Sequence, residues 1–264
     1  MKIGVFDSGL GGLVITKAFI EALGEYDYVY YGDTANLPYG EKSNEQVLAY
    51  TIEAIKFLIN QNCGLIIIAC NTATSIALRY LQQKFIPAYA PNVKVLGVVI
   101  PTVEEALENN AKRIGVLATP TTVASHIYQQ ELLKANPDLE IFEVASPELV
   151  PAIENNDFET AHKFVEHYLK QFDNINSLIL GCTHYPLLKD KVRDICKKDI
   201  KIVSQDELMG KKLADYLRRH IEIDICLSRN KELKILVSQD GEKYREAAQC
   251  LFPNVSIEKA IKYA

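Results

Sequence analysis

Two cysteines, Cys70 and Cys182, each follow a short apolar, β-branched run, at residues 65–69 and 177–181. Such runs predict buried parallel strands, and the polar residues behind each cysteine predict a turn at the carboxyl end of the strand. Ligands of open α/β sheets bind at that edge. A thiolate on one face of a bound carbon and a thiol on the other could remove one proton and deliver another. The two positions therefore indicate a paired acid/base site that inverts a stereocentre.

Three other kinds of site could use the same residues. A zinc site of Cys70, Cys182 and His184 lacks an evident fourth ligand, and the sequence has no CxxC or HExxH motif. A Cys-His hydrolase would pair His184 with one thiol and leave the other cysteine loop unexplained. A non-catalytic protein of two domains could close on an anion. Either cysteine taken alone could simply be packed in the core. Only the inverting enzyme should lose its activity when either thiol is removed.

The residues after each cysteine bear on its ionisation. Cys70 precedes Asn71 and Thr72, Cys182 precedes Thr183, and a helix start is predicted behind both. Amide N–H groups and the positive end of a helix lower the pKa of a thiol. We therefore expect either thiol to be able to ionise near neutral pH.

The chain carries an internal repeat. Cys182 follows Cys70 by 112 positions, and the strand predicted at Ile114 follows the strand predicted at Ile3 by 111. In both halves that opening strand runs into a polar turn and a helix. The repeat predicts two similar flavodoxin-like α/β domains with mostly parallel sheets, related by internal pseudo-symmetry, with the active site in the cleft between them. The predicted boundaries are residues 1–97 plus 207–264 for the first domain and 98–206 for the second.

A glycine-rich turn spans residues 7–12, between the first strand and a helix predicted over 11–23. It places Asp7 and Ser8 at the same edge as the thiols. Such a turn can hold phosphate or carboxylate with backbone N–H groups and the helix dipole. It could also merely pack the helix on the strand, since its spacing is not that of a dinucleotide-binding motif.

A long loop follows the second predicted strand, at residues 32–40. Its Pro and Gly residues fix turn geometry, while Asp33, Tyr39 and Gly40 offer polar groups, although a plain connecting loop is the alternative. In the second half, residues 123–134 predict one helix. His126, on that helix, is expected at the solvated surface.

Composition limits the function classes. The 264 residues are 48% hydrophobic and 24% charged, which is typical of a globular protein, and the net charge of −5 gives no reason to expect a nucleic acid partner. There is no run of the roughly 18 to 20 apolar residues needed to span a membrane, and the first residues predict a strand rather than a signal peptide. Six cysteines without a CxxC pair indicate reduced thiols. A cytoplasmic protein without a membrane partner is expected.

Four blocks together resemble the glutamate racemases of the aspartate/glutamate racemase superfamily. They are Asp-Ser-Gly-Leu-Gly-Gly at 7–12, Tyr-Gly-Asp-Thr at 31–34 with Pro-Tyr-Gly at 38–40, Ala-Cys-Asn-Thr-Ala at 69–73, and Gly-Cys-Thr-His-Tyr-Pro-Leu-Leu at 181–188. The resemblance implies an enzyme that interconverts L- and D-glutamate without a cofactor, the D isomer being used for peptidoglycan. It also implies two α/β domains with the active site between them. No lysine lies in the four blocks to form a Schiff base, which agrees with the absence of pyridoxal phosphate.

The resemblance also implies roles for single residues. Cys70 would act on D-glutamate and Cys182 on L-glutamate, with Asp7 and His184 assisting the thiols and Asp33 and Glu154 as candidate supporting acids. The implied substrate contacts are Asp7, Ser8, Tyr39, Gly40, Asn71, Thr72, Thr119, Thr122, Thr183 and His184. No metal site is expected, and the sequence leaves a homodimer open.

Overall fold

Two parallel β-sheets form the centre of the structure, a computed structural model that describes residues 1–108, 111–196, 199–239 and 241–260. The six-stranded sheet has the order β10-β9-β2-β1-β3-β4 and the four-stranded sheet the order β6-β5-β7-β8. The strands are β1 (Lys2–Asp7), β2 (Tyr28–Gly32), β3 (Cys63–Ile68), β4 (Lys94–Gly97), β5 (Arg113–Ala118), β6 (Glu140–Ala145), β7 (Ser177–Gly181), β8 (Lys201–Val203), β9 (Leu233–Val237) and β10 (Ile257–Lys259). Every pairing among them is parallel.

The two sheets share one strand order. In the first, β1 lies between β2 and β3, with β4 beyond β3; in the second, β5 lies between β6 and β7, with β8 beyond β7. This order begins the flavodoxin-like arrangement. The predicted α/β fold with an internal repeat is confirmed, and β3 and β7 are equivalent strands. The six-stranded sheet is extended by β9, which pairs with β2 although the two are about two hundred positions apart in the chain.

Helices cover the sheets. They are α1 (Gly11–Ala22), α2 (Asn44–Asn60), α3 (Asn71–Tyr80), α4 (Ile86–Tyr89), α5 (Val99–Leu107), α6 (Pro120–Ala124), α7 (Ile127–Ala135), α8 (Leu149–Glu154), α9 (Phe158–Leu169), α10 (Lys189–Ile195), α11 (Gln205–Arg219), α12 (Ile221–Asp224) and α13 (Glu242–Leu251). A π-helical turn, Leu81–Phe85, joins α3 to α4. The predicted strands that carry the cysteines are present as β3 and β7.

The single helix predicted over residues 123–134 is wrong. The chain forms α6 and α7 instead, and His126 between them has a left-handed φ of 53°. That conformation ends one helix and turns the chain into the next. The Thr121 hydroxyl of α6 donates to the Gly40 carbonyl at 2.8 Å, so α6 is held against the loop after β2. His126 is exposed, as predicted, and lies 3.1 Å from Glu143.

Packing joins the two sheets. One cluster of buried apolar side chains includes Ile3 of β1 and Val116 of β5. Helix α11 packs closely on α1, and a Cβ on Gly210 would lie only 2.5 Å from the Ala18 carbonyl oxygen. Burial of a large side chain there, such as Leu213, contributes about 1.5–3 kcal/mol. The carboxyl ends of the two sheets are thereby held close together. Among the helices in the described ranges, none is both long and apolar enough to cross a membrane.

Candidate active site

Both cysteines lie where the sequence predicted them, just past the carboxyl ends of equivalent strands. Cys70 follows β3 and is the N-cap of α3, whereas Cys182 follows β7. Their side chains are buried, and both line one cavity. Its walls are Ser8, Leu37, Pro38, Tyr39, Gly40, Cys70, Asn71, Thr72, Thr119, Val150, Cys182, Thr183 and His184. The paired thiols of the sequence prediction therefore face a shared space.

That space is narrow. Its volume is about 20 Å³, which is room for about one water molecule. An amino acid with several heavy atoms needs a larger space, so the lining must move apart before such a molecule enters. The same narrowness excludes bulk water from the thiols, which strengthens electrostatic interactions between the groups that line the site.

Cys70 lies in an anionic, buried environment. The Ser8 hydroxyl is 3.5 Å from its sulfur, and the Ala73 amide donates to the sulfur at 3.4 Å. Burial and the nearby Asp7 carboxylate nevertheless raise the pKa of Cys70 to about 12. The expectation that helix-end amides let this thiol ionise near neutral pH is wrong for the narrow cavity, because desolvation outweighs them.

Cys182 has a different partner. The helix expected directly behind it starts later: Thr183 and His184 lead into a 3₁₀ turn, Tyr185–Leu188, and α10 begins only at Lys189. His184 Nδ1 lies 3.7 Å from the Cys182 sulfur, and His184 Nε2 lies 2.6 Å from Glu154 Oε1. Burial alone would lower the pKa of His184, but the hydrogen bonds with Cys182 and Glu154 outweigh it and raise that pKa well above its usual range. A cationic imidazole next to a thiol favours the thiolate.

Glu154 hydrogen-bonds to residues from both halves of the chain, Leu10 and His184. It lies at the end of α8, and its Oε1 atom also accepts a hydrogen bond from the Leu10 amide at 3.2 Å. The absence of a side chain at Gly9 leaves space for the Glu154 carboxylate, since a Cβ at Gly9 would lie 2.7 Å from Glu154 Oε1. Glu154 is thus placed behind His184 rather than beside a thiol.

Asp7 is fully buried at the end of β1. Its Oδ2 atom accepts from the Gly12 amide at 2.7 Å and from the Thr183 hydroxyl at 3.3 Å. Burial raises the pKa of Asp7, against the opposing charge of His184 and the turn amides. The glycine-rich turn therefore holds the protein's own carboxylate, and Asp7 links it to the loop that carries Cys182.

Three threonine hydroxyls meet at the wall of the cavity; Thr72 and Thr119 line it, and Thr122 lies behind them. The Thr72 Oγ1 atom lies 2.9 Å from that of Thr119 and 3.2 Å from that of Thr122, and the latter two are 2.9 Å apart. Thr72 lies in the first turn of α3, which follows β3, whereas Thr119 is the N-cap of α6 and Thr122 lies within α6, which follows β5. The three hydroxyl groups follow strands of both sheets and form one cluster of neutral hydrogen-bond donors.

The loop after β2 closes one side of the cavity. Tyr39 and Gly40 line the cavity, but Asp33 does not. Asp33 Oδ2 accepts from the Tyr39 hydroxyl at 2.7 Å and from Asn36 at 2.8 Å. Gly40 is needed for close contact, since a Cβ there would lie 2.8 Å from Thr119 Cβ. The structure thus places Asp33 against Tyr39 and not against a thiol.

Sequence reasoning missed Tyr128 and Gln205. The Tyr128 hydroxyl donates to Asn71 Oδ1 at 2.7 Å, and Gln205 exchanges two hydrogen bonds with the Asn71 amide. Gln205 follows β8, so its place after a strand could have indicated it. Tyr128 lies inside α7 and had no such signal. In the part of the chain that the structure describes, no group of three or more His, Cys, Asp or Glu side chains is arranged to hold a metal ion.

Comparison with known proteins identifies the family. The family model for Asp/Glu/Hydantoin racemase matches residues 3–204. A glutamate racemase from Aquifex pyrophilus is 41% identical over 222 residues, which cover 83% of this chain and 84% of the relative. A solved glutamate racemase from Bacillus anthracis matches with a TM-score of 0.88 at 29% identity, over 98% of this chain and 97% of its own. The structure of the Francisella tularensis glutamate racemase in complex with D-glutamate matches with a TM-score of 0.86 at 32% identity, over 100% of this chain and 97% of its own. This chain belongs to the Asp/Glu/Hydantoin racemase family.

Proposed function

We propose that this protein interconverts L-glutamate and D-glutamate by two-base catalysis with Cys70 and Cys182. The observation that carries the proposal is that two thiols at equivalent strand ends line one narrow cavity, each with its own polar partners. An enzyme with a single catalytic base would not need a second cysteine in the same cavity. The relatives' names give the substrate: the matched proteins are glutamate racemases, and one was solved with D-glutamate.

In the direction from L to D, Cys182 is the base. The Cys182 thiolate, paired with the cationic imidazole of His184, removes the α-proton of L-glutamate and becomes a thiol. The Cys70 thiol then delivers its proton to the opposite face of the carbanion. The product is D-glutamate, and the enzyme is left with a Cys182 thiol and a Cys70 thiolate. Proton exchange with water restores the starting state.

In the direction from D to L, Cys70 must be the thiolate. Ser8 and the Ala73 amide are the donors to its sulfur. Asp7, whose raised pKa suits proton exchange at buried sites, is the group through which we propose the Cys70 proton leaves. Asp33 and Glu154 act indirectly in this scheme, through Tyr39 and His184.

The α-proton of an amino acid is a very weak acid, so the carbanion needs fixed donors and a dry site. Neutral hydrogen-bond donors are abundant around the cavity. The four sequence motifs quoted above, which contribute to its wall, contain no lysine or arginine. The proposed substrate contacts are Asp7, Ser8, Tyr39, Gly40, Asn71, Thr72, Thr119, Thr122, Thr183 and His184. No cofactor or metal is required by this chemistry, since both proton transfers use the chain's own thiols.

Several wider assignments belong to the same proposal. The two domains are residues 1–97 plus 207–264 and residues 98–206, and they separate to widen the cavity. The protein is cytoplasmic, has no nucleic acid or membrane partner, and supplies D-glutamate for peptidoglycan. A homodimer is a further expectation, which size-exclusion chromatography with light scattering measures.

The test is circular dichroism of L- and D-glutamate incubated with the protein, without added pyridoxal phosphate or metal. Wild-type protein should bring either enantiomer to the racemate. Cys70→Ala and Cys182→Ala should each abolish the signal change, whereas Cys226→Ala, which removes an exposed thiol outside the site, should not. Racemisation by either single variant at the wild-type rate would contradict the two-thiol mechanism. No signal with wild type would favour a binding protein.

A further inference from the structure

Gln205 is a buried side chain beside the site that belongs to neither thiol loop. It is the first residue of α11 and is completely buried. Its Oε1 atom accepts from Asn71 Nδ2 at 2.9 Å, and its Nε2 atom donates to Asn71 Oδ1, also at 2.9 Å. The two amides therefore form a reciprocal pair between segments that are 134 positions apart.

The hydrogen bonds fix the Asn71 amide. Its Oδ1 atom accepts from both Gln205 and the Tyr128 hydroxyl, which uses both lone pairs. Its Nδ2 atom uses one of two N–H groups on Gln205 Oε1. Within the described ranges, the second N–H has no hydrogen-bond partner. Any rotation of the amide would break at least one of the three bonds, so that N–H has one direction.

Gln205 is itself held in place. Its Nε2 atom also donates to the Thr102 hydroxyl at 3.1 Å, and that hydroxyl donates to the Val98 carbonyl at 2.7 Å. Thr102 lies on α5 and is completely buried. The amide pair is therefore held by two helices, α5 and α11.

Asn71 is the residue next to Cys70, and both line the cavity. An amide N–H beside the thiol can donate to a carboxylate or to the carbanion that forms when the α-proton leaves. Such a donor works only if its direction is fixed before the reaction, because reorientation during the reaction costs free energy.

We propose that Gln205 is a positioning residue for racemisation: its reciprocal amide pair with Asn71 fixes the one Asn71 N–H that serves the substrate beside Cys70. This inference rests on the proposed function. Gln205 does not touch the substrate and acts only through Asn71.

Symmetry sets a limit on how such a residue can act. Enantiomers have equal free energies in water, so kcat/KM must be equal in the two directions for the wild type and for every variant. Loss of Gln205 therefore lowers kcat/KM equally for both enantiomers. Its separate effects on kcat and KM can differ between L- and D-glutamate.

The experiment is a double-mutant cycle of Gln205→Met with Asn71→Ala. Methionine is unbranched and similar in length to glutamine, and it removes both bonds to the Asn71 amide. In the wild-type background we expect kcat/KM to fall about 10- to 100-fold, because a buried amide loses its partners. In the Asn71→Ala background we expect less than about a twofold change, because Gln205 then has nothing to position.

A matched control is Gln82→Met. The Gln82 amide donates to the Val95 carbonyl at 2.8 Å, outside the site, and its loss should leave kcat/KM unchanged. Gln205→Asn, one methylene shorter, replaces Gln205→Met if the latter does not fold. Where Asn71→Ala turns over too slowly, the same cycle is read from the Kd of D-glutamate by calorimetry.

The outcomes separate the two proposals. Equal losses in both backgrounds would overturn the role of Gln205 and leave the racemase function standing. Absence of glutamate racemisation by the wild-type chain would overturn both. A loss confined to the background that retains Asn71 supports the positioning role.

Discussion

The Nδ1 atom of His184 lies 3.7 Å from the sulfur of Cys182, whereas the corresponding neighbour of Cys70 is the Ser8 hydroxyl at 3.5 Å. The two thiols thus occupy equivalent strand ends but not equivalent environments. The imidazole of His184 can take up an additional proton at neutral pH, whereas the Ser8 hydroxyl cannot. Burial and Asp7 raise the pKa of Cys70 to about 12, so that thiol keeps its proton. This difference supports the proposed assignment of Cys182 as the base and Cys70 as the acid in the direction from L to D.

Glu154→Gln should reduce activity and move its pH dependence. Glu154 supports the charge of His184, so the variant lowers the pKa of His184, and the imidazolium is lost at lower pH. We expect the alkaline limb of the kcat/KM profile to move to lower pH and the maximum to fall about 10- to 100-fold. Glu143→Gln is the control, because Glu143 pairs with the exposed His126 outside the site. If the alkaline limb of the kcat/KM profile stays at the same pH in Glu154→Gln, the role given to His184 is contradicted.

Glutamate should be preferred over aspartate by at least about tenfold in kcat/KM, because the shorter side chain leaves one donor unpaired. In this proposal the clustered hydroxyls of Thr72, Thr119 and Thr122 are the donors that bind the side-chain carboxylate of glutamate. Thr122→Val should reduce the ratio of kcat/KM for glutamate to that for aspartate. Thr51 is a buried helix threonine outside the site, so Thr51→Val should leave this ratio unchanged. Circular dichroism with both amino acids gives the measurement. Equal turnover of aspartate would reject the assignment of substrate.

Thiol labelling should detect the opening of the cavity. Cys226 and Cys250 are exposed and should react with iodoacetamide at once, while Cys70 and Cys182 are 5% and 6% exposed and should react only through opening. Bound D-glutamate should slow the labelling of Cys70 and Cys182 and leave the labelling rates of Cys226 and Cys250 unchanged. Mass spectrometry of peptides separates the sites. Labelling of Cys70 as fast as that of Cys226 would show that the cavity is not closed in solution.

The apolar runs before the cysteines were sufficient to predict β3, β7 and the edge at which both thiols lie. Their β-branched residues and the polar turns behind them are local signals. The pairing of His184 with Glu154 could not be read in this way, because the whole of α9 lies between Glu154, at the end of α8, and β7. The bond between Asn71 and Gln205 spans an even longer stretch and depends on the packing of α11 against α1.

Two of the local expectations that failed show why local signals are insufficient. The ionisation of Cys70 was expected from its helix end, but desolvation depends on every element that covers the site. The break between α6 and α7 has no Gly or Pro to mark it, and His126 adopts the left-handed conformation that ends α6. Contacts between distant segments overrode the local helix signal in that stretch.

Asp27→Ala should destabilise the fold by about 2 kcal/mol, since a buried carboxylate loses three hydrogen bonds. Asp27 accepts from Asn230 N, Asn230 Nδ2 and Glu232 N at 2.8, 2.7 and 3.0 Å, and so attaches the segment before β9 to β2. Burial would raise the pKa of Asp27, but the hydrogen bonds outweigh it and hold that pKa at about 2. Urea denaturation measures the change.

The pH dependence of the Asp27 contribution follows from the sign of its pKa shift. The folded-state pKa is below the unfolded value of about 3.9, so the stabilisation is present above that pH. It is lost as the pH falls towards about 2. Asp138→Ala, at an exposed turn, is the control and should change neither the stability nor its pH dependence. A pH-independent loss in Asp27→Ala would contradict the ionised role of Asp27.

The central claim is that one thiol removes the α-proton and another supplies its replacement. Racemisation in D₂O tests it most directly, with mass spectrometry of each enantiomer at low conversion. Starting from L-glutamate, the D-glutamate formed should carry solvent deuterium while the remaining L-glutamate carries almost none, and the reverse should hold from D-glutamate. Retention of the original proton in the product, or early deuterium in the unreacted substrate, would show that one base serves both faces and would contradict the account.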